Sequence, residues 1–135
     1  MLIASDIHFG KVRAEDIAEF ERYAAIEASG QRLVVLPGDF TQAATDDEFE
    51  AATRFLGRLV QMGNRIVVTP GNHDYGVWRG ERFWASTDAR RRYAAMAQIA
   101  LKQPEVIEST DVDMILLAET DAFLVLRSTH RGTKK

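Results

Sequence analysis

The chain contains no cysteine, and that absence removes disulfide scaffolds, thiolate zinc sites, iron–sulfur clusters and cysteine nucleophiles together. Any metal it binds must be held by oxygen and imidazole. Long apolar runs are missing too: Leu33 to Pro37 and Met114 to Ala118 are about five residues each, against the roughly 20 needed to span a bilayer. No basic region followed by an apolar signal core opens the sequence, so the expectation is a cytoplasmic protein with no membrane partner. Nor is there an excess of positive charge. The 17 Lys and Arg stand against 20 Asp and Glu, a formal charge of −3, which gives no general affinity for polyanions and argues against long nucleic acid as a partner.

What remains is the composition of a globular protein, 46% apolar and 27% charged over 135 residues, and it suits a single domain. Three apolar runs each end in a polar, glycine-containing turn: Leu2-Ile3-Ala4-Ser5, Leu33-Val34-Val35-Leu36-Pro37 and Ile66-Val67-Val68-Thr69-Pro70. Such β-branched runs read as strands covered on both faces. Between them lie helical patterns. Ile17, Phe20, Ala24 and Ala28 form one stripe that stops at Gly30, a C-terminal cap. Thr45-Asp46-Asp47-Glu48 is a capping box, followed by Phe49, Ala52, Leu56 and Leu59 and ending near Gly63, as an amphipathic helix requires. The order is βαβαβ, which implies a parallel sheet.

A third helix is expected from about Thr87 to Lys102, with Tyr93, Met96, Ile99 and Ala100 inward and Pro104 blocking its continuation. The runs Met114 to Ala118 and Ala122 to Leu126 flank Glu119-Thr120-Asp121, a spacing that suits a hairpin with a three-residue loop. No repeat or linker separates a second domain.

In open α/β sheets, ligands bind outside the carboxyl ends of the strands, and there the informative residues fall. Asp6-Ile7-His8 follows the first strand, Gly38-Asp39 the second and Gly71-Asn72-His73-Asp74 the third. Two carboxylates, one imidazole and one amide oxygen thus share an edge, with His73 and Asp74 beside them. Oxygen donors mixed with imidazole suit Mn²⁺, Fe or Zn²⁺ more than Ca²⁺. An Asp after the middle strand can bridge two ions about 3.5–4 Å apart, an arrangement that clamps a phosphoryl group and activates water.

These residues carry a resemblance. The series Asp6-x-His8, Gly38-Asp39 and Gly71-Asn72-His73-Asp74 closely resembles the first three motifs of the calcineurin-like metallophosphoesterase family, in the same order and at similar spacing, over roughly residues 1 to 76. A given four-residue string arises by chance in roughly one chain in a thousand of this length, so three ordered motifs are a poor accident. The resemblance implies that Asp6 and His8 bind a first divalent ion, that Asp39 bridges both ions and that Asn72 binds the second. It implies that His73 is no ligand but contacts the phosphate and the leaving oxygen. Asp74 would then pair with His73 and hold its protonation state, so the two act as the catalytic pair. The implied cofactors are two divalent metals (Mn²⁺, Fe²⁺/³⁺ or Zn²⁺), and the implied reaction is hydrolysis of a phosphomonoester or phosphodiester by metal-activated water.

The family pattern continues with a further metal-binding histidine and a Gly-His-x-His motif, whereas His130, in Ser128-Thr129-His130-Arg131-Gly132, is the sole histidine after His73. The expected fold is therefore one incomplete domain over residues 1–135, the N-terminal βαβαβ half of a two-sheet α/β sandwich followed by an antiparallel hairpin. An apolar sheet edge left without neighbours would favour self-association. Two functions follow: the N-terminal portion of a metal-dependent phosphoesterase, nearly inactive alone, or a truncated or degenerate homologue that binds at most one metal or a partner. His130 reads as a solvated residue near a basic terminus. The arginines at 79, 82, 90, 91 and 92 read as solvated faces, since Glu81 and Asp88 lie among them. Trp78 and Trp84 read as packing over the sheet.

Overall fold

A computed structural model describes residues 1–25, 32–79 and 82–101 and three further strand segments, 106–107, 114–117 and 122–125. The first five elements are β1 (Leu2–Ile3), α1 (Ala14–Ala25), β2 (Leu33–Pro37), α2 (Asp46–Gln61) and β3 (Arg65–Thr69). The three strands form one parallel sheet in the order β1-β2-β3, with Leu2 opposite Val34 and Leu33 opposite Arg65. The βαβαβ order read from periodicity is therefore the order observed.

Helix α2 begins where its capping box sits. The Thr45 hydroxyl accepts from the Glu48 amide (3.4 Å), and the Glu48 carboxylate accepts from the amides of Thr45 (3.2 Å) and Ala43 (2.9 Å). Helix α2 buries Phe49, Ala52, Phe55, Leu56 and Leu59, a stripe recurring every three or four residues. This face meets Val34, Leu36, Ile66 and Val68 of the sheet and Tyr93, Met96 and Ala100 of helix α3 (Thr87–Leu101) in one core. Ser86 caps α3, its hydroxyl accepting from the Ala89 amide at 3.2 Å. Helix α1 joins through Phe20, whose ring lies 5.8 Å from that of Phe55, and through an ion pair between Glu21 and Arg58 at 2.7 Å. The stop expected at Ala28 to Gly30 lies outside the described residues.

Three expectations need correction. The strands are not covered on both faces throughout: Ile3 is 61% exposed, and β2 alternates buried Val34 and Leu36 with half-buried Leu33 and Val35. Only β3 is buried continuously, at Ile66, Val67 and Val68. The segment after β3 holds an unexpected antiparallel hairpin, β4 (Gly76–Arg79) with β5 (Arg82–Ala85), in which Arg79 pairs with Arg82. Trp84 on that hairpin is 55% exposed and does not pack over the sheet, while the Trp78 side chain lies outside the described residues. The anticipated C-terminal hairpin is present as β7 (Met114–Leu117) and β8 (Ala122–Val125), but Leu117 pairs with Ala122, so the connection has four residues rather than three. A short strand, β6 (Val106–Ile107), adds to β7 antiparallel. No helix among the described residues is long and apolar enough to cross a membrane.

Candidate metal centre

The chain leaves β1 and β2 side by side and keeps pairing beyond the strands. The amides of Asp6, His8 and Phe9 donate to the carbonyls of Gly38, Asp39 and Phe40, so the loop after β1 is strapped onto the loop after β2. Within this strap Asp6, His8 and Asp39 all adopt left-handed backbone, with φ of 55°, 51° and 52°. An L-residue there costs about 1–3 kcal/mol, and such strain gathers at functional sites. Its effect is to bring one ligand atom from each of the three side chains within 4.8 Å of the others.

Two glycines make this approach possible. Gly38 has φ +80°, a conformation open to glycine at little cost. Gly71 is needed for space: a Cβ there would overlap the Asp39 carboxylate and the Asp39 amide nitrogen. The third loop is held in turn by the second, since the His73 amide donates to Asp39 Oδ1 at 2.9 Å.

Both histidines are anchored through Nδ1. His8 Nδ1 lies 3.2 Å from the Thr41 carbonyl and His73 Nδ1 2.7 Å from the Gln42 carbonyl. A carbonyl only accepts, so each Nδ1 carries the proton and donates. Nε2 is the other ring nitrogen, and that of His8 lies 3.9 Å from Asp6 Oδ1, within the cluster. The two rings meet edge to face, with centroids 4.9 Å apart. Asn72 is exposed at the head of its loop, where its carbonyl accepts from the Tyr75 amide at 3.2 Å.

Asp74 does not pair with His73, contrary to the implied dyad. Its carboxylate is fully buried and accepts from the Thr41 amide (2.9 Å), the Thr41 hydroxyl (3.2 Å) and the Gly71 amide (2.9 Å). Burial pushes its carboxyl above the ordinary carboxylate value, and hydrogen bonds from the amides of Gly71, Thr41 and Phe40 and from the Thr41 hydroxyl oppose that rise. The physical reason for the difference is the turn itself: consecutive side chains point apart, so His73 faces the cluster and Asp74 the interior.

The structure thus gathers Asp6, His8, Asp39 and His73 at one sheet edge, with Asn72 on the same loop as His73. Thr41 and Gln42 escaped the sequence reading. Their one signal is position, two and three residues after Asp39, because the groups that hold the two histidine rings are their backbone carbonyls, which residue identity does not reveal. His130 lies outside the described residues. Among the arginines, Arg92 pairs with Asp46, Arg91 lies 3.5 Å from Asp88 and Arg90 stacks 5.1 Å from the Tyr75 ring centroid, while Arg82 is exposed.

The donor set fits a divalent ion of the Mn²⁺, Fe or Zn²⁺ kind: two carboxylates and an imidazole whose Nδ1 proton is committed elsewhere, as a ligating histidine requires. Comparison with known proteins agrees with this chemistry. The sequence profile of the calcineurin-like phosphoesterases matches residues 1–121. A UDP-2,3-diacylglucosamine hydrolase of Ralstonia nicotianae (strain ATCC BAA-1114 / GMI1000) is 33% identical over 125 residues, covering 87% of this chain and 42% of the relative. The chain therefore spans about two fifths of the length of that curated relative. No solved structure matches.

Proposed function

Since the chain belongs to the calcineurin-like phosphoesterase family, we propose that it supplies the metal-binding edge for hydrolysis of a phosphomonoester or phosphodiester. The observation that carries this reading is the convergence of Asp6, His8 and Asp39 within 4.8 Å on strained backbone. Divalent ions bound at this edge would neutralise phosphoryl charge and activate water for in-line attack. Asp6, His8 and Asp39 hold a first ion. Asp39 and the Asn72 amide oxygen are the donors for a second. His73, anchored through Nδ1, presents Nε2 to the phosphate; in its imidazolium form, with both ring nitrogens protonated, it would stabilise charge and pass the Nε2 proton to the leaving oxygen. Asp74 holds the loops and does not touch the reacting atoms. The diacylated UDP-sugar that the Ralstonia relative's name specifies is one compound to assay first.

The second reading, a homologue binding one ion without turnover, is favoured by the donor count: among the described residues one carboxylate–imidazole group is found. Titration with Mn²⁺ tests the site directly. We expect binding that Asp39→Ala abolishes, because both ions lose a ligand. His73→Ala should leave the affinity within a few fold and, in any form of the protein that turns over, lower the rate by roughly 10²–10³. Loss of the ion on His73→Ala would move that residue into the ligand set.

A further inference from the structure

Thr41 is fully buried and is the point at which the three motif loops meet. Its amide donates to Asp74 Oδ1 and its carbonyl accepts from His8 Nδ1. Its hydroxyl lies 3.1 Å from the His73 carbonyl and 3.2 Å from Asp74 Oδ1. A hydroxyl has one proton, so it can donate fully to only one of these two acceptors at a time, and both lie on the third loop. The residue also forms a parallel bridge with Phe9, and the next amide, Gln42, donates to the Phe9 carbonyl at 3.1 Å. One peptide unit further on, the Gln42 carbonyl receives His73 Nδ1. Successive carbonyls of one short segment therefore set the rings of both histidines.

We infer that Thr41 is a positioning residue for the metal centre: held by Asp74, it places the carbonyls of Thr41 and Gln42 so that His8 and His73 are locked as Nδ1–H tautomers with Nε2 facing the cluster. The inference deepens the proposed function and rests on it for the identity of the ligand. The alternative, that Thr41 is simply a buried polar residue satisfied by its neighbours, predicts no effect on either ring. Partners that orient a ligating histidine commonly change metal affinity by 10–100-fold when removed. The Thr41 hydroxyl acts one step further back, so the lower end of that range applies.

The test uses the full chain with ¹⁵N-labelled histidine. In the metal-free protein, at a pH where imidazole is neutral, long-range ¹H–¹⁵N spectra should show Nδ1–H at both His8 and His73. Thr41→Val keeps the shape and removes the hydroxyl. It should introduce the Nε2–H tautomer at His73 and weaken Mn²⁺ binding about tenfold. Thr41→Ser, which keeps the hydroxyl, should restore the wild-type tautomers and bring the affinity back to within about threefold. Wild-type rings protonated on Nε2 would overturn the inference whether or not any variant folds. Unchanged rings and affinity in Thr41→Val would overturn it too, as would equal losses in the Val and Ser variants, since those point to packing. A chain that binds no Mn²⁺ would remove the proposed function, and the tautomers of the metal-free protein would still decide the role of Thr41.

Discussion

The Asp74 carboxylate accepts from the amides of Thr41, Gly71 and Phe40 and from the Thr41 hydroxyl. An amide cannot replace it without setting its own N–H₂ group against the amide of either Thr41 or Gly71. Asp74→Asn is therefore expected to cost about 1–3 kcal/mol, the range for a buried donor left unpaired, read as a lowered urea midpoint at neutral pH with an unchanged slope. An unchanged midpoint would mean that the side chain is not the clamp described. At this scale the sequence was only partly readable. Adjacency in Asn72-His73-Asp74 suggested that the last two act together, and the motif did identify both positions. The Gln42 carbonyl that anchors His73 and the Thr41 amide that holds Asp74 lie 31 and 33 residues away, and both are backbone groups, which no pattern of side chains discloses.

Helix α2 is the element the sequence specified best, because its start signal, apolar stripe and length agree. Its cap also reaches outside the helix, since Glu48 holds the Ala43 amide next to Gln42. Thr45→Ala should cost about 1 kcal/mol, measurable as a lower denaturation midpoint. A variant as stable as the parent would show the capping bonds to be replaced by solvent. The β4–β5 hairpin went unread for a physical reason: every residue from Arg82 to Ala85 is exposed, so there is no alternation of buried and solvated positions to detect. The Gly80-Glu81 step between Arg79 and Arg82 fits a two-residue hairpin of the Gly-x kind and was the usable clue. Strand coverage was misread because Leu33 to Leu36 is uniformly apolar, although only Val34 and Leu36 of that run are fully buried.

Taken whole, the molecule was legible where three strand ends share an edge, a consequence of parallel topology alone. Less legible was how that edge is distorted, since Asp and His enter left-handed backbone more readily than most residues yet do so only occasionally, and residue type alone does not announce it at Asp6, His8 and Asp39. Under the proposed two-ion reading, with Asp39 counted twice, the chain would offer three donor residues to one ion and two to the other. We expect the 135-residue chain with Mn²⁺ to be close to inactive on an activated aryl phosphodiester, beside a longer form that carries additional histidine ligands. Comparable turnover by the two would show that the donors named here suffice.

The strained strap also bears on how such a protein changes over generations. Asp6 sits at φ 55° with its side chain 65% exposed, near the Asp39 carboxylate and with few contacts to lose. Asp6→Gly removes an unfavourable backbone geometry and one of two neighbouring negative charges, so the metal-free protein should gain about 0.5–1 kcal/mol, seen as a higher melting temperature, while its Mn²⁺ affinity falls. A melting temperature that drops with the affinity would show the left-handed turn to be unstrained. Selection for heat resistance alone would thus erode the ligand positions first, and their persistence in a lineage would record a demand for the ion rather than for the fold.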